Sequence, residues 1–206
     1  MGRPREHDAR TRAALLAAAE RLIEQRGPEA ATVRAVADAV GASTRAVYSV
    51  FGSKDGLLEA LATRLFEMLS EAIDACGSTD DPAADVVTAS LDGFRRTALE
   101  HPALYGLVFL RVVPDLRLGP QFTEAAGAAF QRLRAHLDRL DHVTGLGGRS
   151  CDDAARAVHA LTEGLAGMEL RGMIGADGGA ERVWRDALTA LVQGFSAAPV
   201  ASLRPA

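Results

Sequence analysis

Thr32, Arg34, Thr44, Arg45, Tyr48 and Ser49 carry the side-chain chemistry that recognises duplex DNA, and all six fall within residues 32–49. A guanidinium can donate two hydrogen bonds to one guanine edge, hydroxyls reach bases or phosphates, and a small apolar group such as Ala46 can meet a thymine methyl. Lys54, the only lysine in the chain, follows just downstream. It stands in the first turn of a helix, where the helix dipole disfavours a cation, so a phosphate partner explains it better. Arg3 and Arg5 begin a basic N-terminal arm that can follow the backbone or enter a minor groove. This is the chemistry of recognition, not of bond breaking.

Two short helices must hold these groups. Val33, Val36, Ala37 and Val40 share one helical face, which gives the first helix something to bury. Gly41 supplies a left-handed residue to end it, and Ser43 can cap the amides of the next. That second helix buries Val47 and Phe51 and turns Thr44, Arg45, Tyr48 and Ser49 to solvent. Such a pair is a helix-turn-helix, whose second helix lies in a major groove. An ordinary helical hairpin with a polar outer face has the same pattern. The downstream Gly52-Ser53-Lys54 helix start and the upstream arm favour the DNA reading.

Residues 10–61 resemble the DNA-binding domain of the TetR family of bacterial one-component transcription regulators. The resemblance rests on the basic arm and on a first helix carrying Ile23-Glu24-Gln25-Arg26-Gly27. It continues through Thr32-Val33-Arg34, the Gly41-Ala42-Ser43 turn, Tyr48 with Phe51, and Ser53-Lys54-Asp55-Gly56-Leu57-Leu58. The family often has a polar residue before the Phe and a Thr before the residue at Val47; here Val50 and Ala46 stand there. These departures bear on operator sequence and affinity, not on the motif's identity.

The net charge of −4 over 206 residues divides unevenly. Residues 1–58 carry nine Lys and Arg against seven Asp and Glu, while the remainder carries fourteen against twenty. Positive charge therefore accompanies the reading head. Nearly half the residues are hydrophobic and alanine and leucine are prominent, which favours helix and supplies a core. The expected fold is all-α: a helix-turn-helix domain over residues 1–54, a helical ligand-binding and dimerisation domain over 55–198, and a disordered tail over 199–206. No apolar stretch approaches the roughly 20 residues a membrane span needs, and the charged N-terminus lacks a signal-peptide core, so a cytoplasmic protein is expected. Cys76 and Cys151 are far apart and have no metal-ligand spacing, so they read as unpaired thiols.

Past Leu61, apolar spacing predicts a connecting helix to about Cys76, then helices near 83–100, 103–110, 121–142, 152–174 and 181–195. The last two carry Leu161, Gly164, Leu165 and Met168, then Trp184, Leu188, Leu191 and Phe195. Pairs of such helices from two subunits can form a four-helix bundle on a twofold axis. The resemblance implies a homodimer made in this way; plain intramolecular core is the alternative. It also implies an effector cavity among the middle helices, where Phe94, His101, Tyr105, Phe109, Phe122, Phe130, His159, Glu163 and Met168 fall. Aromatics with a few polar groups suit a small apolar or amphipathic molecule, although each taken alone also reads as core. His159 and Glu163 stand one turn apart and can simply pair with each other. No catalytic constellation, cofactor motif or metal-ligand set is present in the sequence: Gly145-Leu146-Gly147-Gly148 follows no strand and precedes no Lys. The expected function is a ligand-responsive transcriptional regulator, a repressor that binds a palindromic operator as a homodimer. A helical small-molecule binder without operator recognition is the alternative, and an enzyme is not expected.

Overall fold

In the computed structural model, residues 3–113, 115–175 and 178–196 are described, with side chains from residue 9 onward. Among them the chain is helical and contains no strand. Helices α1 (Arg3–Arg26), α2 (Val33–Ala39), α3 (Thr44–Phe51) and α4 (Lys54–Cys76) come first, with a single 3-10 turn, Pro28–Ala30, after α1. There follow α5 (Pro82–Thr88), a π-helical stretch (Ala89–Arg95), α6 (Arg96–Glu100), α7 (Pro102–Val108), α8 (Pro120–Thr144), α9 (Cys151–Leu170) and α10 (Ala180–Phe195). The helix starts follow from local chemistry. Thr32, Ser43 and Ser150 each accept a hydrogen bond from a backbone amide three residues on. Asp81 accepts from Ala83 and Ala84, ahead of Pro82 in the first turn of α5.

One expected helix is interrupted. The residues read as a single helix near 83–100 form α5, the π-helical stretch and α6. Gly93 packs against Ile73 so closely that a Cβ would lie 2.9 Å from Ile73 Cγ1. The Ser90 hydroxyl donates to Val86 O at 2.8 Å and the Thr97 hydroxyl to Gly93 O at 2.8 Å. Side chains bonded back to carbonyls one turn earlier compete with the regular ladder and accompany local widening. Apolar periodicity carries no trace of this. At the N-terminus, α1 begins at Arg3, so the residues expected to form a loose arm are helical in backbone. The side chains of Arg3 and Arg5 lie outside the described residues, as does the whole of the expected tail, 199–206.

The chain divides into two compact units that are not consecutive in sequence: residues 1–66 with 101–126, and 67–100 with 127–206. In the first unit, Leu15, Ala19, Val36, Val47 and Leu57 are fully buried. Tyr105 is 1 % exposed, and its ring lies 4.9 Å from that of Phe109. Phe66 meets Phe109 and Phe122 edge-on at 5.9 and 5.3 Å.

The core of the second unit takes up part of the apolar stripe expected at a dimer surface. Trp184 and Leu188 are fully buried, and Phe195 and Leu165 nearly so, within the single chain. The Trp184 indole N–H donates to Glu169 Oε2 at 2.8 Å, and Arg95 holds the same carboxylate from both sides at 2.8 and 2.9 Å. The strongest apolar stripe of a helix is drawn into its own core first, because burial stabilises the monomer whether or not a partner arrives. Leu161, Gly164, Met168 and Leu191 remain at least partly exposed, together with Ala160, Ala190 and Gly194. Both cysteines are unpaired. Burial, then the carboxylates of Asp141 and Asp138, push the Cys151 thiol above its ordinary value; burial, then Asp92, does the same at Cys76.

Candidate nucleic-acid interface

The first unit contains three capped helix starts around the expected DNA-facing residues. The Thr32 hydroxyl accepts the Ala35 amide at 3.1 Å, Ser43 accepts Ala46 at 3.2 Å, and Ser53 accepts Gly56 at 2.9 Å. Two glycines set the angles between them. Gly41, at φ 66°, separates α2 from α3, and Gly52, at φ 74°, ends α3; both conformations suit a residue without Cβ. Val47 then anchors α3 inward with no exposed surface.

This anchoring leaves Thr44, Arg45, Tyr48 and Ser49 exposed on the other side of α3, with Tyr48 at 53 %. Ala46 and Phe51 are half-buried. Thr32 and Arg34 are exposed at the start of α2; Arg34 Nε stands 3.8 Å from Asp38 Oδ2, an ion pair open to solvent. Lys54 Nζ lies 3.6 Å from Glu29 Oε2 in the 3-10 turn. An exposed pair of this length holds its lysine weakly, so a phosphate can take Glu29's place. Sequence reasoning missed Glu29 because 25 residues separate it from Lys54. It also missed Arg12, whose guanidinium carbon sits 5.8 Å from the centroid of the Phe51 ring. This contact ties α1 to the end of α3 by a cation–π interaction, and no sequence pattern links residues so far apart.

The nine expected effector-cavity residues are distributed over both units. His101, Tyr105, Phe109 and Phe122 belong to the first, and Phe94, Phe130, His159, Glu163 and Met168 to the second. His101 Nδ1 lies 2.6 Å from Glu20 Oε1, a contact between the start of α7 and α1. Tyr105, Phe109 and Phe122 join the aromatic cluster around Phe66 described above. In the second unit, His159 meets Phe94 edge-on at 6.0 Å and pairs with Glu163 at 3.7 Å. Burial pushes the His159 imidazole below its ordinary value, against the opposing pull of Glu163. Among the described residues, no group of three or more His, Cys, Asp or Glu side chains converges as a metal site. No helix of the described residues is long and apolar enough to cross a membrane.

Solved structures share this architecture. A protein of unknown function from Rhodococcus sp. RHA1 is similar at a TM-score of 0.77 with 22% identity, over 90% of this chain and 94% of that one. The TetR family transcriptional regulator PfmR from Thermus thermophilus superposes at 0.65 with 23% identity, over 88% and 98%. A TetR variant from Acinetobacter baumannii in complex with minocycline does so at 0.59 with 22% identity, over 89% and 94%. At these identities the likeness concerns the fold. No curated protein sequence matches the chain. Two family models do: residues 15–61 match that of bacterial regulatory proteins of the tetR family, and residues 87–191 match the tetracyclin repressor-like C-terminal domain. Helix-turn-helix and body are thus both accounted for, the second match alone spanning half of the sequence, and the chain belongs to the TetR family of bacterial transcriptional regulators.

Proposed function

We propose that this protein is a repressor that binds a palindromic operator as a homodimer and leaves it when a small effector binds its body. The observation that carries this reading is the solvent-facing row Thr44, Arg45, Tyr48 and Ser49 on α3, flanked by Thr32 and Arg34 on α2 and by Lys54. One such helix contacts too few base pairs to be selective, and two heads on a twofold axis read an inverted repeat. The surface that joins two chains is the face of α9 and α10 left open by the core, two leucines among small residues: Ala160, Leu161 and Gly164 with Ala190, Leu191 and Gly194. At Gly164 and Gly194 an added Cβ would meet nothing within 4 Å in the chain itself, so a partner helix can approach closely there.

Release requires the effector to bind the DNA-incompetent conformation more tightly, by a coupling on the order of 1–3 kcal/mol. That a TetR variant of the same fold is in complex with minocycline supports a small-molecule input here. Selection of sites from a random duplex pool by the purified protein tests the proposal. Enrichment of an inverted repeat is expected. Recovery of no common sequence by folded, ligand-free protein would refute operator recognition.

A further inference from the structure

Two of the cations expected to meet DNA already face an acid within the first unit. Lys54 Nζ lies 3.6 Å from Glu29 Oε2, and Arg34 Nε lies 3.8 Å from Asp38 Oδ2. Arg45 on α3 has no ion pair among the described residues.

Neither acid has a structural duty that explains it. The Glu29 side chain is 90 % exposed, and among the described residues its carboxylate accepts no hydrogen bond. Asp38 stands in the last turn of α2 and Arg34 in the first. The helix dipole favours the opposite placement, and an ion pair that supports a helix runs acid first. Both charges of this pair therefore oppose the dipole of the helix that carries them. What the two acids share is position, each beside a cation on the surface proposed to meet DNA.

A duplex phosphate must displace the acid to use the cation. The displaced carboxylate then stands near a phosphate of like charge and takes up a counterion again, which subtracts from the gain of counterion release. Grip on phosphates is common to every duplex, operator or not. A regulator that must leave its operator, and must not be held on other DNA, gains from a limit on that grip. We propose that Glu29 and Asp38 set this limit by competing with phosphates for Lys54 and Arg34, while unpaired Arg45 is left to read bases. This restraint presupposes the DNA surface proposed above and names the residues that hold its affinity down.

The test uses the full chain and a duplex of random sequence, so it does not depend on finding an operator. Both acids are exposed, so Glu29→Gln and Asp38→Asn keep the fold, checked by unchanged helicity. Each is expected to tighten binding about two- to fivefold at low salt, the range of an exposed ion pair. The gain should shrink as salt rises, because screening weakens the competition. Glu29→Gln should tighten a selected operator by the same factor, since a phosphate contact carries no sequence information. Its gain is expected to vanish in a Lys54→Ala background, and that of Asp38→Asn in an Arg34→Ala background, because the competition needs both partners. Unchanged affinity in the single variants, or an equal gain without the paired cation, would overturn the assignment. Either of those results with an inverted repeat still selected would leave operator recognition standing.

Discussion

Arg45 stands in the first turn of α3 with its side chain in solvent, one position beyond the capped start that Ser43 fixes. A guanidinium held there by the backbone, and not by a salt bridge, retains its donors for a guanine edge. Arg45→Ala is expected to weaken binding to the selected operator by about 1–3 kcal/mol and to relax selectivity at one position, read by competition with single-base variants. Lys54 differs in kind, because a phosphate contact carries no sequence information. Lys54→Ala is expected to weaken binding to all duplexes alike and to lower the slope of log affinity against log salt by about one unit. A slope equal to that of the wild type would leave Lys54 with Glu29 alone. These two residues were legible in the sequence because their signals are local: a cap three residues before a polar helix face, and a cation at a helix start. Arg12 was not legible, since its partner Phe51 is near it only in the folded unit.

At the scale of elements, what the sequence disclosed was set by near neighbours. Ser43, Asp81 and Ser150 mark helix starts by accepting amides no more than three residues away, Pro82 does so by its fixed φ, and those starts lie within a residue or two of their expected places. Within the π-helical stretch Gly93 packs closely on Ile73, twenty residues earlier, and no apolar period betrays that contact. The loop between α4 and α5 shows the same dependence on distant partners. Asp85 is 5 % exposed and accepts from the Thr79 amide at 2.9 Å, the Thr79 hydroxyl at 2.7 Å and Arg139 at 2.6 Å. Burial alone would raise its carboxyl, but these donors outweigh burial and hold it below the ordinary 3.8. The charged form is thus the one the fold favours. Its contribution is complete above the unfolded value and is lost as pH falls through the lowered one. Asp85→Ala is expected to lower stability by about 1.5–3 kcal/mol in denaturant melts. The gap between wild type and variant should stay constant from neutral pH down to the ordinary carboxylate range and close only below it. A gap already closing near pH 6 would contradict the assignment to Asp85.

At the scale of the whole molecule, amphipathic periodicity foretold two terminal helices but not the direction each face takes. Trp184, Leu188, Val192 and Phe195 share one face of α10 and lie in the chain's own core, whereas Leu191 on another face does not. The face left over sets Leu161 and Leu191 among Ala160, Gly164, Ala190 and Gly194, an apolar stripe too sparse to stand out in the sequence. Gly164→Arg tests its role with little disturbance to the monomer, because position 164 is exposed, a Cβ there would meet nothing within 4 Å, and arginine replaces a poor helix former. A folded monomer of unchanged helicity is expected in sedimentation, with selective DNA binding lost; a dimer of wild-type affinity would place the interface elsewhere. The account depends most on two heads reading one duplex in register. The direct measurement compares affinity for the selected inverted repeat with affinity for the same half-sites respaced by half a helical turn, about 5 base pairs. Binding to the respaced duplex should fall to the level of random DNA, while undiminished affinity would contradict a dimer that reads both half-sites together.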